Sequence, residues 1–155
     1  MNLEDITGPK CIRALNSKGE PGHFLFAGVE MPYTKRIAEG QILVEKAEGK
    51  NGALQFKSTY GFYLSAQRDE KQVKWDRERP YEWEWFTLRN APMGGFSLET
   101  HFGTYLCLED DGSVVQVKEP RSLLFVDPSQ TEHFTSLDQI TGIQFPAVKS
   151  VYCLP

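Results

Sequence analysis

The amino-acid sequence predicts an all-β domain made of three similar four-stranded units. The first observation is an internal repeat, since residues 54–64 align with residues 96–106 and every matched position lies 42 residues further on. The second is the spacing of glycine-containing turns such as the Asp-Asp-Gly at residues 110–112, which suits tight hairpins. The third is the scatter of prolines, which interrupt candidate helices, mostly near the inferred loops. A period near 40 residues is a signature of repeat architectures.

The strands follow from the alternation of apolar and polar residues, which has the period of a strand. In the second unit this pattern predicts strands at residues 53–57, 62–66, 73–76 and 83–89, and in the third unit at 96–100, 104–109, 114–118 and 123–127. At the same offset Val73 aligns with Val115. A first unit begins at Cys11, and its residues 22–25 align with residues 61–64 at an offset of 39.

Three four-stranded units of this length predict a β-trefoil, in which six strands form a barrel and six form a triangular cap. An immunoglobulin-like sandwich would share the short strands and turns but would not show the repeat. The predicted trefoil domain covers residues 1–128, with repeats at about 11–52, 53–95 and 96–128. A C-terminal extension of residues 129–155 follows. This extension is too apolar for a free tail, so we expect it to pack on the barrel end or the tryptophan region, with a dimer contact as the alternative.

Composition and charge exclude several classes of function. The 155 residues carry 17 Lys plus Arg and 21 Asp plus Glu, and the resulting pI of about 5.4 argues against binding nucleic acid through a general basic surface. No apolar run approaches the roughly 18 residues of a membrane span. The first residues lack the features of a signal peptide, so we expect a cytoplasmic location. Cys11, Cys107 and Cys153 are far apart, which predicts buried side chains and neither disulfides nor a zinc site.

Catalytic motifs are missing from the sequence. It contains no nucleophile elbow, no zinc-protease motif and no phosphate-binding glycine loop. Asp110 and Asp111 are better interpreted as turn residues than as a pair of catalytic carboxylates. His23, His101 and His133 are scattered and predict no site. We therefore expect a protein that is not an enzyme and uses no cofactor.

The most distinctive segment is residues 67–85, which contains all three tryptophans and a dense mixture of charges. Its simplest interpretation is a pair of solvated loops beside aromatic residues of the core. As a protein-binding surface, it offers tryptophan and arginine, the residue types that dominate interface energetics. The candidate partner-binding residues are Lys71, Lys74, Trp75, Arg77, Arg79 and Trp85. As a sugar-binding surface, an exposed ring would stack on a sugar. Trp85 and Phe86 are adjacent, so one of them should face away from the core.

Two stretches of the second unit resemble the repeat of fascin and hisactophilin. They are Phe-Lys-Ser-Thr-Tyr-Gly-Phe-Tyr-Leu-Ser-Ala at residues 56–66 and Trp-Glu-Trp-Phe-Thr-Leu at residues 83–88. The third unit keeps Gly-Thr-Tyr-Leu at residues 103–106. The resemblance implies a non-catalytic β-trefoil that binds a protein partner such as actin, with Trp83 and Phe86 in its core.

Two departures from that family are visible. Fascin has four such domains where this sequence has one, so crosslinking of filaments would need two sites or a dimer. Hisactophilin is far richer in histidine, so a histidine pH switch has no special support. A carbohydrate-binding lectin of the same fold is the alternative, although the QxW-type repeat usual in ricin-like lectins is missing. The ligand, a protein or a glycan, stays open at this point.

Overall fold

The computed structural model describes residues 6–16, 18–28, 30–35, 41–69, 71–92 and 94–128. The predicted C-terminal extension, residues 129–155, lies outside the described residues. The described strands are β1 (Gly8–Leu15), β2 (Pro21–Ala27), β3 (Pro32–Lys35), β4 (Ile42–Lys46), β5 (Ala53–Lys57), β6 (Tyr63–Ala66), β7 (Val73–Arg77), β8 (Phe86–Asn90), β9 (Phe96–Glu99), β10 (Tyr105–Leu108), β11 (Val114–Val117) and β12 (Leu123–Val126). The predicted all-β class is therefore confirmed.

Six of these strands close into a barrel. Strand β1 pairs with β4, β4 with β5, β5 with β8, β8 with β9, β9 with β12, and β12 returns to β1. Every pairing is antiparallel, and closure gives each of the six strands a hydrogen-bonded neighbour on both sides. Among the described residues, no helix has the length and apolar character that crossing a membrane requires.

The other six strands form three hairpins, β2–β3, β6–β7 and β10–β11, each lying in chain order between two barrel strands. The hairpins contact one another in a ring. One backbone hydrogen bond joins each hairpin to the turn of another, and these bonds run from Thr34 N to Gly112 O at 3.1 Å, from Trp75 N to Glu30 O at 2.7 Å, and from Gln116 N to Lys71 O at 3.2 Å. The three donors occupy matching places, because they pair with Leu25, Leu64 and Leu106.

Aromatic side chains fill the barrel. Phe56 lies 5.4 Å from Phe86 and 6.3 Å from Phe125 between ring centroids, and Phe96 lies 6.0 Å from Phe125. Phe56, Phe86 and Phe125 are fully buried. Full burial of such a ring stabilises the fold by roughly 1.5–3 kcal/mol, so the apolar strand positions account for much of the barrel's cohesion.

Most predicted strands agree with the structure to within one or two residues, but the strand predicted at 83–89 is wrong in its first part. Glu82–Glu84 form a turn of 3-10 helix, and β8 begins only at Phe86. The turn forms because the Glu84 carboxylate and the carbonyls of Tyr81 and Glu82 accept hydrogen bonds locally. The backbone therefore turns at Glu82–Glu84, where the alternating Glu and Trp residues predict an extended strand.

Two smaller predictions are confirmed. Asp110, Asp111 and Gly112 form a turn, in which Asp111 Oδ1 accepts hydrogen bonds from the backbone and side chain of Ser113. Cys11 and Cys107 are buried thiols that form no disulfide with each other, as the sequence predicts, whereas Cys153 lies outside the described residues.

Candidate functional site

Residues 78–85 connect β7 to β8 and are called here the β7–β8 loop. A recess of about 420 Å³ on one side is lined by residues 76–79 and 81–84. A second recess of about 350 Å³ is lined by Glu78, Arg79 and Tyr81 from the same loop, together with Lys57 and Tyr63 from β5 and β6. Tyr81 is 64% exposed and borders both recesses. The Tyr81 ring therefore lies between two recesses that charged residues line.

A buried carboxylate holds this loop from inside. Glu84 is only 2% exposed, and its Oε2 accepts a 2.6 Å hydrogen bond from Ser65 Oγ. Its Oε1 accepts a 2.7 Å hydrogen bond from the backbone N–H of Tyr81. Arg77 Nε lies 4.0 Å from Oε2. A buried charge with these partners is costly to disturb, so the backbone beneath Tyr81 is held in one position.

Trp83 lies at the side of the loop. Its ring is half-buried and meets Phe102 edge-on, with 5.2 Å between centroids. The guanidinium groups of Arg68 and Arg77 lie 5.6 and 5.9 Å from the indole centroid, within the range of cation–π attraction. The core position that the family resemblance implies for Trp83 is therefore not observed. Both guanidinium groups lie within reach of this half-buried ring at the same time.

Trp85 packs on the turn between β4 and β5. It is half-buried, and its Nε1 donates a 3.2 Å hydrogen bond to Oε1 of the buried Gln55. Its ring covers Gly49 so closely that a Cβ on that residue would lie 2.1 Å from Trp85 Cη2. Phe86 is fully buried, so the predicted opposition of these two adjacent side chains is confirmed.

Tyr63 closes a short polar network beside the second recess. Its hydroxyl donates to Glu45 Oε1 at 2.9 Å, and Gln55 Nε2 donates to the same oxygen at 2.8 Å. Burial is the largest cause that raises the pKa of Tyr63 to about 12, and the hydrogen bond to Glu45 is the second. The phenol is therefore a protonated donor throughout the physiological range.

The structure brings together two of the six predicted partner-binding residues. Arg77 and Arg79 line the first recess. Lys71 is exposed in the turn before β7, whereas Lys74 is half-buried on the opposite side of β7 from Trp75. Trp75 is 1% exposed and belongs to the core, so its ring is not available to a partner. Trp85 is held against Gly49 by the contacts described above.

Tyr81 and Glu84 were not among the candidates from the sequence. Pro80 marks the loop in which Tyr81 lies, and that was the available signal for an exposed ring. Glu84 gave no such signal, because its partner Ser65 is 19 residues away in the sequence.

The groups at the surface of the loop are suited to recognition. Arg79, Glu78 and Glu82 are exposed and form no ion pair with other described residues. Within the described part of the chain, no cluster of three or more His, Cys, Asp or Glu residues could hold a metal ion. Ion pairing, stacking and hydrogen bonding are the interactions that the exposed side chains of the loop offer.

The chain matches no model of a known protein family and no curated protein.

Proposed function

We propose that the chain is a non-catalytic β-trefoil module that binds a protein partner through the β7–β8 loop. The observation that carries this proposal is Tyr81, which is 64% exposed above a backbone fixed by Glu84. A tyrosine contributes a large contact area with few rotatable bonds, and a fixed backbone reduces the entropy lost on binding. Tyr81 is therefore the expected centre of the interface.

The β-trefoil assignment is supported by two independent features. One is the closed barrel with a hairpin inserted after β1, β5 and β9. The other is the 42-residue offset between the second and third units of the sequence. The resemblance of residues 56–66 and 83–88 to the fascin and hisactophilin repeat makes filamentous actin the first partner to test. Fold alone does not specify a ligand, so the loop chemistry carries the functional proposal.

The charges around Tyr81 favour a partner of mixed charge. Arg79 stands beside Glu78 and Glu82, all three on the exposed side of the loop. Arg77 is partly neutralised, because Asp76 and Glu84 lie within 3.7 and 4.0 Å of its Nε. Arg79 is therefore the cation expected to meet an acidic group of the partner, and its contribution should weaken as salt rises.

Co-sedimentation with filamentous actin tests this proposal. Tyr81→Ala should lower the pelleted fraction, because we expect the apparent affinity to fall at least tenfold. That change corresponds to about 1.4 kcal/mol of binding free energy. Tyr60→Ala is the matched control, because Tyr60 is also a tyrosine in a turn and is 62% exposed. Equal pelleting of both variants and the unmodified chain would exclude Tyr81 from the interface, and no pelleting of the unmodified chain at low salt would exclude actin.

A charge reversal tests the electrostatic part separately. Arg79→Glu should weaken binding more at low salt than at high salt. Lys118→Glu carries the same change of charge at an exposed position outside both recesses and should have little effect. Equal losses in the two variants would point to net charge and not to the loop.

Carbohydrate binding is the second candidate function. The observation that favours it is the grouping of the exposed Tyr81 ring with the Glu78 and Glu82 carboxylates around one recess. A ring can stack on a sugar face while carboxylates accept hydrogen bonds from its hydroxyls. A glycan array distinguishes the two candidates, because a signal that is lost in Tyr81→Ala supports the lectin, whereas actin pelleting with a silent array supports the protein partner.

A further inference from the structure

A third recess, large enough for a small molecule, lies between the third unit and the turn that joins β1 to β2. Its volume is about 430 Å³, within the range of roughly 300–1,000 Å³ that small-molecule sites occupy. We call it the Arg121 recess, and its lining residues are 14–16, 22, 92, 107–110 and 120–123. All of these are described, whereas the adjoining residues 17 and 93 lie outside the described residues. The Arg121 recess shares no residue with the two recesses at the β7–β8 loop.

The buried part of this lining is mostly apolar. Leu15 and Leu108 are 7% exposed, and Leu123 is completely buried. Pro92 and Pro120 are the exposed apolar residues of the lining. None of the lining residues is aromatic. An aromatic ring placed against these side chains would shield them from water, which favours binding.

The second unit fills the equivalent place with a ring of its own. Phe86 in β8 and Leu123 in β12 pair with residues that the 42-residue offset makes equivalent. Three residues before them, the chain has Trp83 in the second unit and Pro120 in the third. The Trp83 ring packs edge-on against Phe102, in the turn between β9 and β10. Strand β12 pairs onward with β1 as β8 pairs onward with β9, so the turn after β1 is the counterpart of that turn. The third unit therefore has an open recess where the second unit has an indole.

The charge beside this position is reversed between the two units. The Arg68 guanidinium lies 5.6 Å from the Trp83 ring centroid, and the residue 42 positions further on is Asp110. Asp110 lines the Arg121 recess, and its Oδ1 lies 3.1 Å from Nδ1 of His23. An acid in place of a base favours a ligand that carries an amine.

Two charges of opposite sign meet at the Cys107 thiol, which also lines the recess. Cys107 Sγ donates a 3.4 Å hydrogen bond to Oε1 of Glu109. Burial, and next the Glu109 carboxylate, raises the pKa of Cys107 to about 11, while the Arg121 guanidinium beside it acts in the opposite direction. The thiol is therefore neutral at physiological pH. Neither Glu109 nor Arg121 forms an ion pair with another described residue.

The backbone of Glu109 is fixed. Its N–H donates a 2.9 Å hydrogen bond to the carbonyl of Ser113, and its carbonyl accepts a 3.0 Å hydrogen bond from Thr34 Oγ1. A carboxylate on a fixed backbone loses less entropy when it binds a ligand.

We propose that the Arg121 recess binds a small aromatic molecule that carries both an ammonium group and a carboxylate, as the aromatic amino acids do. The ring lies against the leucines, in the position that Trp83 takes in the second unit. The ammonium group meets Glu109, and the carboxylate meets Arg121. Both charged side chains adjoin Cys107, which suits a ligand whose two charges are close together. This site is separate from the β7–β8 loop and does not depend on the proposed protein partner.

Titration of the ¹⁵N-labelled full chain with L-tryptophan tests this proposal. The backbone amide resonances of Leu108, Glu109 and Arg121 should shift and should saturate at millimolar concentrations of the ligand. The amides of Arg79 and Tyr81 should not shift. Absence of shifts at the first three residues, or equal shifts at both surfaces, would overturn the proposal.

Three analogues separate the contributions of the ring and of the two charges. Tryptamine lacks the carboxylate, and indole-3-propionate lacks the ammonium group. Each should bind at least about threefold more weakly than tryptophan, because each loses one ion pair. Glycine has both charges and no ring, so it should cause no shift. Equal affinity for tryptophan and both indole analogues, or equal affinity for glycine, would overturn the proposal.

Two substitutions assign each charge to its partner. Arg121→Gln should weaken the binding of tryptophan and indole-3-propionate but not that of tryptamine. Glu109→Gln should weaken the binding of tryptophan and tryptamine but not that of indole-3-propionate. Lys118→Gln changes an exposed residue outside the recess and should leave all three affinities unchanged. If both recess variants weakened all three ligands alike, or left tryptophan binding unchanged, the proposal would be wrong.

Discussion

The hydroxyl of Ser65 donates a 2.6 Å hydrogen bond to Oε2 of Glu84, and both side chains are buried. This contact joins β6 to the β7–β8 loop across 19 residues of sequence. The other carboxylate oxygen of Glu84 binds the backbone of Tyr81. One buried acid therefore connects the core of a hairpin with the most exposed aromatic residue of the candidate site.

Ser65→Ala should destabilise the protein by about 2 kcal/mol, because hydrogen bonds to charged groups contribute roughly 1.5–3 kcal/mol and the carboxylate stays buried. Urea denaturation measures the change in the free energy of unfolding. The Tyr81 amide resonance should shift, since the Glu84 carboxylate that it contacts loses a partner.

The matched control is Ser113→Ala. Ser113 Oγ donates to Asp111 Oδ1 at the same 2.6 Å, but on the exposed surface. Water replaces that bond, so its loss should change stability little. Equal effects of the two substitutions would show that burial of Glu84 does not determine the strength of its contact.

Gln116→Leu should loosen the turn between β6 and β7. Gln116 is 3% exposed, and its Nε2 donates to the carbonyls of Gln67 at 2.8 Å and Gln72 at 2.6 Å. Leucine has a similar size but removes these two bonds and the bond from the Thr104 hydroxyl, although Gln72 O still accepts from Gln67 N–H and Thr104 Oγ1 still contacts Thr100 Oγ1. We expect a loss of about 2 kcal/mol, given roughly 0.5–1.5 kcal/mol for each hydrogen bond removed.

Hydrogen exchange localises this effect. The amides of Gln67 and Gln72 should exchange faster in Gln116→Leu. The amide of Thr34, in the hairpin β2–β3, should keep its exchange rate once the change in global stability is taken into account. Uniformly faster exchange at all these positions would mean that the substitution lowers global stability without acting on the turn.

The repeat in the sequence predicted much of the strand pattern but not how the hairpins interact. The offset of 42 aligns Val73 with Val115, yet Val73 pairs with Ala66 whereas Val114 pairs with Leu108. The slip of one residue arises because the turn of residues 67–72 is one residue longer than the turn of residues 109–113. Equivalent hairpin positions also carry unlike residues, so a polar contact made by one of them could not be inferred from another.

The candidate site was predictable where strand periodicity alone decides exposure. Adjacent positions in a strand face opposite ways, which placed Trp85 and Phe86 on different sides. The same rule applied along β7 places Trp75 with Val73 in the core, although the charges around Trp75 favoured a surface. Glu84 was not predictable, because acids are buried only when a partner is available and Ser65 is distant in sequence.

Gly49→Ala should displace the Trp85 ring. The added Cβ would lie 2.1 Å from Cη2, far inside contact distance, and Gly49 has no positive φ that would strain the backbone in addition. Overpacking of this kind costs about 1–3 kcal/mol. Thermal unfolding should begin at a lower temperature, and tryptophan emission should shift to the red as Trp85 meets water.

Gly22→Ala provides the comparison for this steric effect. Its Cβ would meet its nearest atom, the Ala14 carbonyl oxygen, at 3.4 Å, so little has to move. Both substitutions reduce the entropy of the unfolded chain alike. If Gly49→Ala proved as stable as Gly22→Ala with unchanged emission, the packing of Trp85 on the β4–β5 turn would be excluded.

Tyr63 should make stability fall at alkaline pH. Burial and the Glu45 hydrogen bond raise its pKa from near 10 to about 12, so folding favours the protonated phenol. The resulting stabilisation is complete below pH 10 and is lost as the pH rises towards 12. Tyr63→Phe removes this ionisation, so the difference in unfolding free energy between the two proteins should shrink over that interval. Other alkaline titrations cancel in the difference, and a difference that stays constant from pH 8 to about 12 would contradict the raised pKa.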